Sequence, residues 1–159
     1  MTFSHLLWVF LISAVPIVEL RGAIPTAICV YDIPWYIALL VCFVGNLVPV
    51  PFIILLLDPV TNVIGKVPIL KTIMDRVFER TRKRGEIVER WERLGLVLLV
   101  AIPLPGTGAW TGSLAAFLLG LGLKKAFPPI MLGVLIAGII VTILSLAGLE
   151  VWWLFFDPE

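Results

Sequence analysis

Four long apolar blocks fill the chain, at residues 3–31, 34–57, 95–123 and 126–156, and one polar block, 66–94, divides them two and two. A helix needs about 20 apolar residues to cross a bilayer. Blocks 34–57 and 126–156 meet that length. Blocks 3–31 and 95–123 are too long for one simple span and too short for two. Each is broken near its middle by Pro, Gly and polar residues, in "VPIVELRGAIP" (15–25) and "IPLPGTGAWTG" (102–112). Half a bilayer takes roughly ten helical residues. Each broken block therefore has the length of a hairpin that enters to the midplane, turns and leaves on the same side. Irregular backbone at that depth is tolerated only where protein or a water-filled cavity covers it.

The two break points resemble each other. "AVPIVELRGAIPTA" begins at Ala14 and "AIPLPGTGAWTGS" at Ala101; with one gap, both run Ala-apolar-Pro, polar turn, Gly-Ala, an apolar residue or Trp, then a small or polar pair. A Pro-started apolar span follows each, from Pro34 and from Pro128. Charge tests this repeat independently. Nine of the twelve Lys and Arg lie between Lys66 and Arg93, and Lys124 and Lys125 supply two more. Basic loops stay in the cytoplasm. Block 95–123 then starts and ends inside, as a hairpin must, and 126–156 crosses outward. Block 34–57 crosses inward from an outer loop that holds Asp32, and 3–31 dips from outside.

The expected fold is an all-α integral membrane protein. An inverted repeat, each half a re-entrant helical hairpin plus a transmembrane helix, occupies 1–65 and 95–159. The tips meet near the midplane, the arrangement by which broken helices form sites in secondary transporters. Between the repeats, Leu70, Ile73, Met74, Val77 and Phe78 form an apolar stripe at helical spacing. Glu79–Lys83, Glu86–Arg90 and Glu89–Arg93 are i,i+4 pairs with Glu leading, and Gly85 is expected to break the segment in two. It reads as a cytoplasmic amphipathic helical segment on the inner surface of the cell membrane. The alternative is a solvated helix packed on the bundle.

Composition agrees with a membrane protein. The chain of 159 residues is 60% hydrophobic and 14% charged, with mean hydropathy +1.09; soluble domains have about 45–50% and about 25%. A net charge of +1 gives no reason to expect a nucleic-acid partner. Cys29 and Cys42 have no metal or disulfide spacing. The N-terminus lacks a basic region and a small-residue cleavage site, so residues 3–30 are expected to remain in the mature protein. No hydrolytic triad, HExxH, CxxC or GxGxxG occurs. The expectation is a non-enzyme with no metal and no cofactor.

The candidate chemistry sits in the two breaks. A charge at bilayer centre costs at least about 2.5–3.5 kcal/mol on insertion scales, so Glu19 and Arg21 need a reason. They form either a structural pair or a site in which Arg21 binds an anionic group and Glu19 carries a proton or cation. Pro103 and Pro105 end the descending half-helix, and Gly106 and Gly108 permit tight backbone. Thr107 is the expected N-cap of the rising half-helix, whose free N–H groups make an anion site. Thr111 adds a hydroxyl and Trp110 walls the tip. Gly108 and Gly112 also form a GxxxG, so close packing explains the same glycines. Asn46 is a lone polar residue in a span kinked by Pro49 and Pro51; it hydrogen-bonds either the tips or another helix. Trp8, Trp35, Trp152 and Trp153 read as interface anchors. His5 is assigned no role.

With both tips in view, the chain resembles the putative small multi-drug export protein family. The matching stretches are "ELRGAIP", which includes Pro25, "GNLVPVPF", "AIPLPGTGAWTG" and "GVLIAGIIVTILS". That family is grouped with the DedA (VTT-domain, SNARE-associated) superfamily, described as two opposed re-entrant helices and implicated in moving polyprenyl phosphates or phospholipids. The arginine-rich signature of that superfamily's second tip is absent from "PLPGTGAWTG". The resemblance implies a membrane transporter that exports small molecules; the residues of the two breaks add the expectation of a midplane site with proton coupling through Glu19. The alternatives are a flippase or scramblase for an anionic lipid, and a non-transporting assembly factor. The expected partners are the lipid bilayer, a small-molecule or anionic-lipid substrate and a second copy in a homodimer.

Overall fold

The computed structural model describes residues 2–64, 85–104 and 107–148, with side chains over 2–56, 92–104 and 107–148. Among these residues every secondary-structure element is a helix. Most of the polar block, the C-terminal tryptophans, Pro105 and Gly106 lie outside the described residues.

Prolines set the breaks. Helix α1 (Phe3–Ala14) stops where Val15, the residue before Pro16, turns extended at φ −78°, ψ 135°, because the proline ring disfavours the helical region in its predecessor. Helix α2 (Glu19–Pro25) continues into a wider π-helical turn, Thr26–Val30. Helix α3 (Trp35–Leu47) starts behind Pro34, and Val48 separates it from α4 (Pro49–Ile64). Helix α5 (Gly85–Ala101) ends two residues before Pro103. Helix α6 (Ala109–Leu118) is closed by Gly120, at φ +72°. Gly120 N–H donates to the Phe117 carbonyl and Leu121 N–H to that of Ala116, both at 2.9 Å, the bond pair of a glycine-terminated helix end.

Helix α7 (Leu123–Leu146) begins five residues ahead of the proline expected to start it, so Lys124 and Lys125 lie in its first turn. The carbonyls that Pro128 and Pro129 leave without helical donors are those of Lys124 and Lys125 themselves. Both residues are exposed, and a helix end is where such carbonyls find other donors.

Two helical stretches are long and apolar enough to cross a membrane: Trp35–Leu56, 22 residues running through the Val48 break, and Leu123–Leu146, 24 residues. Helices α1 and α6, with 12 and 10 residues, are about 18 and 15 Å long, near half of a hydrocarbon core about 30 Å thick.

Many large apolar residues face outward, and small ones fill the contacts between helices. Leu7, Leu11, Leu40, Leu98, Leu132 and Ile143 face outward, whereas Ala23, Ala27, Ala38, Ala109, Ala116 and Ala137 are buried. Between membrane helices no aqueous hydrophobic drive operates, and small residues let backbones approach. A Cβ added at Gly133 would lie 2.6 Å from Val100 Cβ, so α7 meets α5 backbone to side chain. At Gly45 it would strike Ser13 Oγ and approach the Phe10 carbonyl to 2.7 Å, so α3 meets α1 equally closely. Helix α1 packs on α2 and α3, and α5 on α6 and α7; α2 also packs on α7, and α6 on α4. The buried hydroxyls of Ser113 and Thr142 donate to carbonyls four residues back, at 2.6 and 2.7 Å. Trp8 and Trp35 are exposed at 59% and 49%.

Candidate functional site

The two breaks meet and close on each other. Glu19, the first residue of α2, is only 4% exposed and has φ +50°. A non-glycine residue there is strained, and such strain persists only where the surroundings hold it. The surroundings are the start of α6. Glu19 Oε1 accepts the Trp110 N–H at 3.4 Å, and the Ala109 N–H also faces the carboxylate. These are among the first N–H groups of α6, which have no partner within their own helix. The first break therefore caps the helix of the second with a carboxyl group, at an end where negative charge is favoured.

Gly108 makes room for this. Its φ is +141°, and a Cβ built on it would overlap the Glu19 carboxylate. Gly112, one turn on, serves packing instead, since a Cβ there would lie 2.5 Å from Val100 Cγ2. Of the two glycines expected to serve either packing or a site, one seats a carboxylate and the other seats a helix.

Arg21 turns to the same loop. Its Nη2 donates to the Thr107 carbonyl and, at 2.8 Å, to Thr107 Oγ1. The Thr107 hydroxyl lies 2.7 Å from the Ile102 carbonyl and 2.9 Å from that of Leu104; its single proton serves one of them at a time. Thr107 is thus not the N-cap of α6. Gly108 holds that position with no side-chain cap of its own. The hydroxyl is drawn back onto the chain it follows because Arg21 already occupies its outer side.

Trp110 completes the arrangement from the other direction. Its Nε1 donates 3.0 Å to the carbonyl of Ala14, one of the last α1 carbonyls, which lack helical donors. Glu19 and Arg21 are therefore fixed by different atoms of the second break, and the second break returns a bond to the first.

Glu19, Arg21, Thr107, Gly108 and Trp110 form one cluster. Pro25 is half-buried further along α2, and Pro103 is half-buried just after α5. Thr111 is half-buried in the first turn of α6. Asn46 is 1% exposed on α3, and neither Oδ1 nor Nδ2 has a hydrogen-bond partner among the described residues. His5 stacks on Tyr31, with ring centroids 4.5 Å apart. The sequence does not foretell the Ala14 carbonyl, the pairing of Arg21 with Thr107 or the fit of Glu19 over Gly108. No local signal carries them, because the partners are 86 to 96 residues apart. No group of three or more His, Cys, Asp or Glu that would hold a metal occurs among the described residues.

A profile of the putative small multi-drug export protein family matches residues 19–140. No curated protein and no solved structure matches the chain. The match covers well over half of the 159 residues, and the chain belongs to that family.

Proposed function

We propose that this member of the family is a membrane exporter of small lipophilic molecules, and that the clasp between its two breaks is the transport site. The observation that carries the reading is the Glu19 carboxylate, sealed from solvent and held by backbone donors of α6 in the space over Gly108. A charge so placed is costly unless the protein uses it. Neutralised by a proton or paired with a cationic substrate, the carboxylate holds the α6 N–H groups less strongly and the clasp loosens. That links a titrating group to a change in packing, as proton-coupled alternating access requires.

The helix arrangement supports two opposed halves. In each, two helices joined at a break pack on the span that follows: α1 and α2 on α3, α5 and α6 on α7. Each second arm also packs on the other half, α2 on α7 and α6 on α4. This is the pattern expected of inverted re-entrant hairpins whose tips meet inside the membrane. Arg21 has a supporting role in this reading: engaged with Thr107, it positions the second break against Glu19.

The test is purified protein in liposomes with an imposed pH gradient, following movement of tetraphenylphosphonium. Wild type should accumulate the cation on the side that the gradient dictates. Glu19→Gln, which keeps the shape and an acceptor oxygen, should abolish the coupling. Undiminished coupled movement in Glu19→Gln would remove the proposal. Thermal stabilisation by a polyprenyl phosphate that Arg21→Ala abolishes would replace export by the lipid-carrier reading.

A further inference from the structure

Asn46 is the one buried polar side chain in α3 that the clasp does not use. Its level in the molecule follows from two independent neighbours. Gly45 abuts Ser13, and the next residue of α1, Ala14, offers the carbonyl that holds Trp110. On the other side, Leu39 Cδ1 and Ile24 Cδ1 come within 2.7 and 3.9 Å of a Cβ built on Gly138, so they lie at one level. Helices α2 and α3 run antiparallel across the turn at 31–34. Five residues from Ile24 back to Glu19 is about 7.5 Å, and seven from Leu39 on to Asn46 is about 10.5 Å. Asn46 thus sits within about one helical turn of the depth of Glu19. It shares a helix face with Leu39 and Cys42, the face turned to α2 and α7.

The chemistry there is incomplete in a specific way. A buried carboxamide ordinarily finds partners for both its donor and its acceptor; among the described residues Asn46 has neither. Just beyond it, Pro49 and Pro51 have no N–H to give to the carbonyls of Gly45 and Leu47. These two carbonyls are two residues apart and so leave the helix on opposite sides. They do not converge with Asn46 Oδ1, and a cation such as Ca²⁺ wants about six to eight converging oxygens. The unmet pair on Asn46 instead matches a group that presents a donor and an acceptor on adjacent atoms.

We infer that Asn46 is a ligand-binding residue at about the depth of the clasp, and that it takes the edge of a lactam or primary amide on an otherwise apolar compound. The inference rests on the transport reading for its purpose, and it names the part of the substrate that Asn46 would recognise. Glu19 answers to charge; Asn46 answers to hydrogen-bonding shape. A compound lacking the N–H leaves Oδ1 unpaired and binds more weakly, since stranding a buried polar group is what gives such sites their discrimination.

The experiment compares 2-quinolone with N-methyl-2-quinolone, binding to purified full-length protein in detergent, for wild type and Asn46→Leu. Wild type should bind the N–H compound about tenfold more tightly, the loss expected for one buried hydrogen bond. Asn46→Leu should bind the two equally. Ligand-free Asn46→Leu should also unfold about 2–4 °C higher than wild type, because replacing an unpaired buried amide with an apolar group of like size removes its penalty. Equal binding of the two compounds by wild type overturns the inference. So does a preference that survives in Asn46→Leu, or a lowered unfolding temperature, which would make Asn46 a structural hydrogen-bonder. Failure of Glu19→Gln to affect coupling bears on the transport mechanism alone, because the quinolone comparison measures binding without a gradient.

Discussion

At the scale of single residues, the clasp depends on one missing side chain and one guanidinium. Gly108→Ala places a methyl group on the Glu19 carboxylate at a φ that L-residues avoid. It should lower stability by about 1–3 kcal/mol and abolish coupled transport; unfolding in detergent, monitored by tryptophan fluorescence, reads the first. Thr107→Val keeps the carbonyl that Arg21 binds but removes the hydroxyl. It should cost about 1.5–3 kcal/mol, the range for a hydrogen bond to a charged group. If Thr107→Val unfolds at the wild-type temperature, Arg21 is not held as the structure has it. Residue types reveal much of this beforehand. Glu19 and Arg21 stand out in an apolar run because charge is costly in lipid, and the glycine-proline stretch announces irregular backbone. What each one touches was not legible. The choice between a mutual pair and separate partners is a matter of rotamer and loop path, and these depend on residues more than 80 positions away.

At the scale of helices, proline placement was readable and proved sufficient to position the breaks after Ala14, Leu47 and Ala101. Proline acts on its own residue and its predecessor, so its effect is local. Helix α7 starts at Leu123 rather than at Pro128 for a related reason: prolines inside a helix near its exposed end are tolerated, and periodicity cannot distinguish that from a start. Glycine roles required the neighbours. Gly133→Leu should abolish the approach of α7 to α5 and prevent recovery of a folded protein, whereas Gly95→Ala, with open space around it, should be neutral or stabilising by up to about 1 kcal/mol. Size-exclusion profiles and melting of the two variants check this contrast. If both behave alike, α5 and α7 do not pack through Gly133.

At the scale of the whole molecule, the proposed orientation makes the turn at Asp32 external and the turn at Gly122 internal. Single-cysteine variants in a Cys29→Ser, Cys42→Ala background test it with a membrane-impermeant maleimide on intact cells. Asp32→Cys should label promptly, and Gly122→Cys only after the membrane is opened. Labelling of Gly122→Cys from outside would make Ala109–Leu118 part of a span and overturn the second hairpin. Thr107→Cys should resist labelling from either side while the clasp is closed.

Membrane character, helical class, the proline-set breaks and the residues too polar to lie in lipid without cause are all legible along the chain. These follow from composition, proline geometry and the cost of charge in lipid, all of which act within a few residues. Packing in three dimensions was needed to show that the carboxylate of the first break caps the helix of the second, that Arg21 serves Thr107, that Gly108 and Gly112 have different roles, and that Asn46 has no partner among the described residues. Those facts depend on which surfaces come to face each other once the helices pack. That pairing depends on fit over the whole molecule, which no single stretch of the chain encodes.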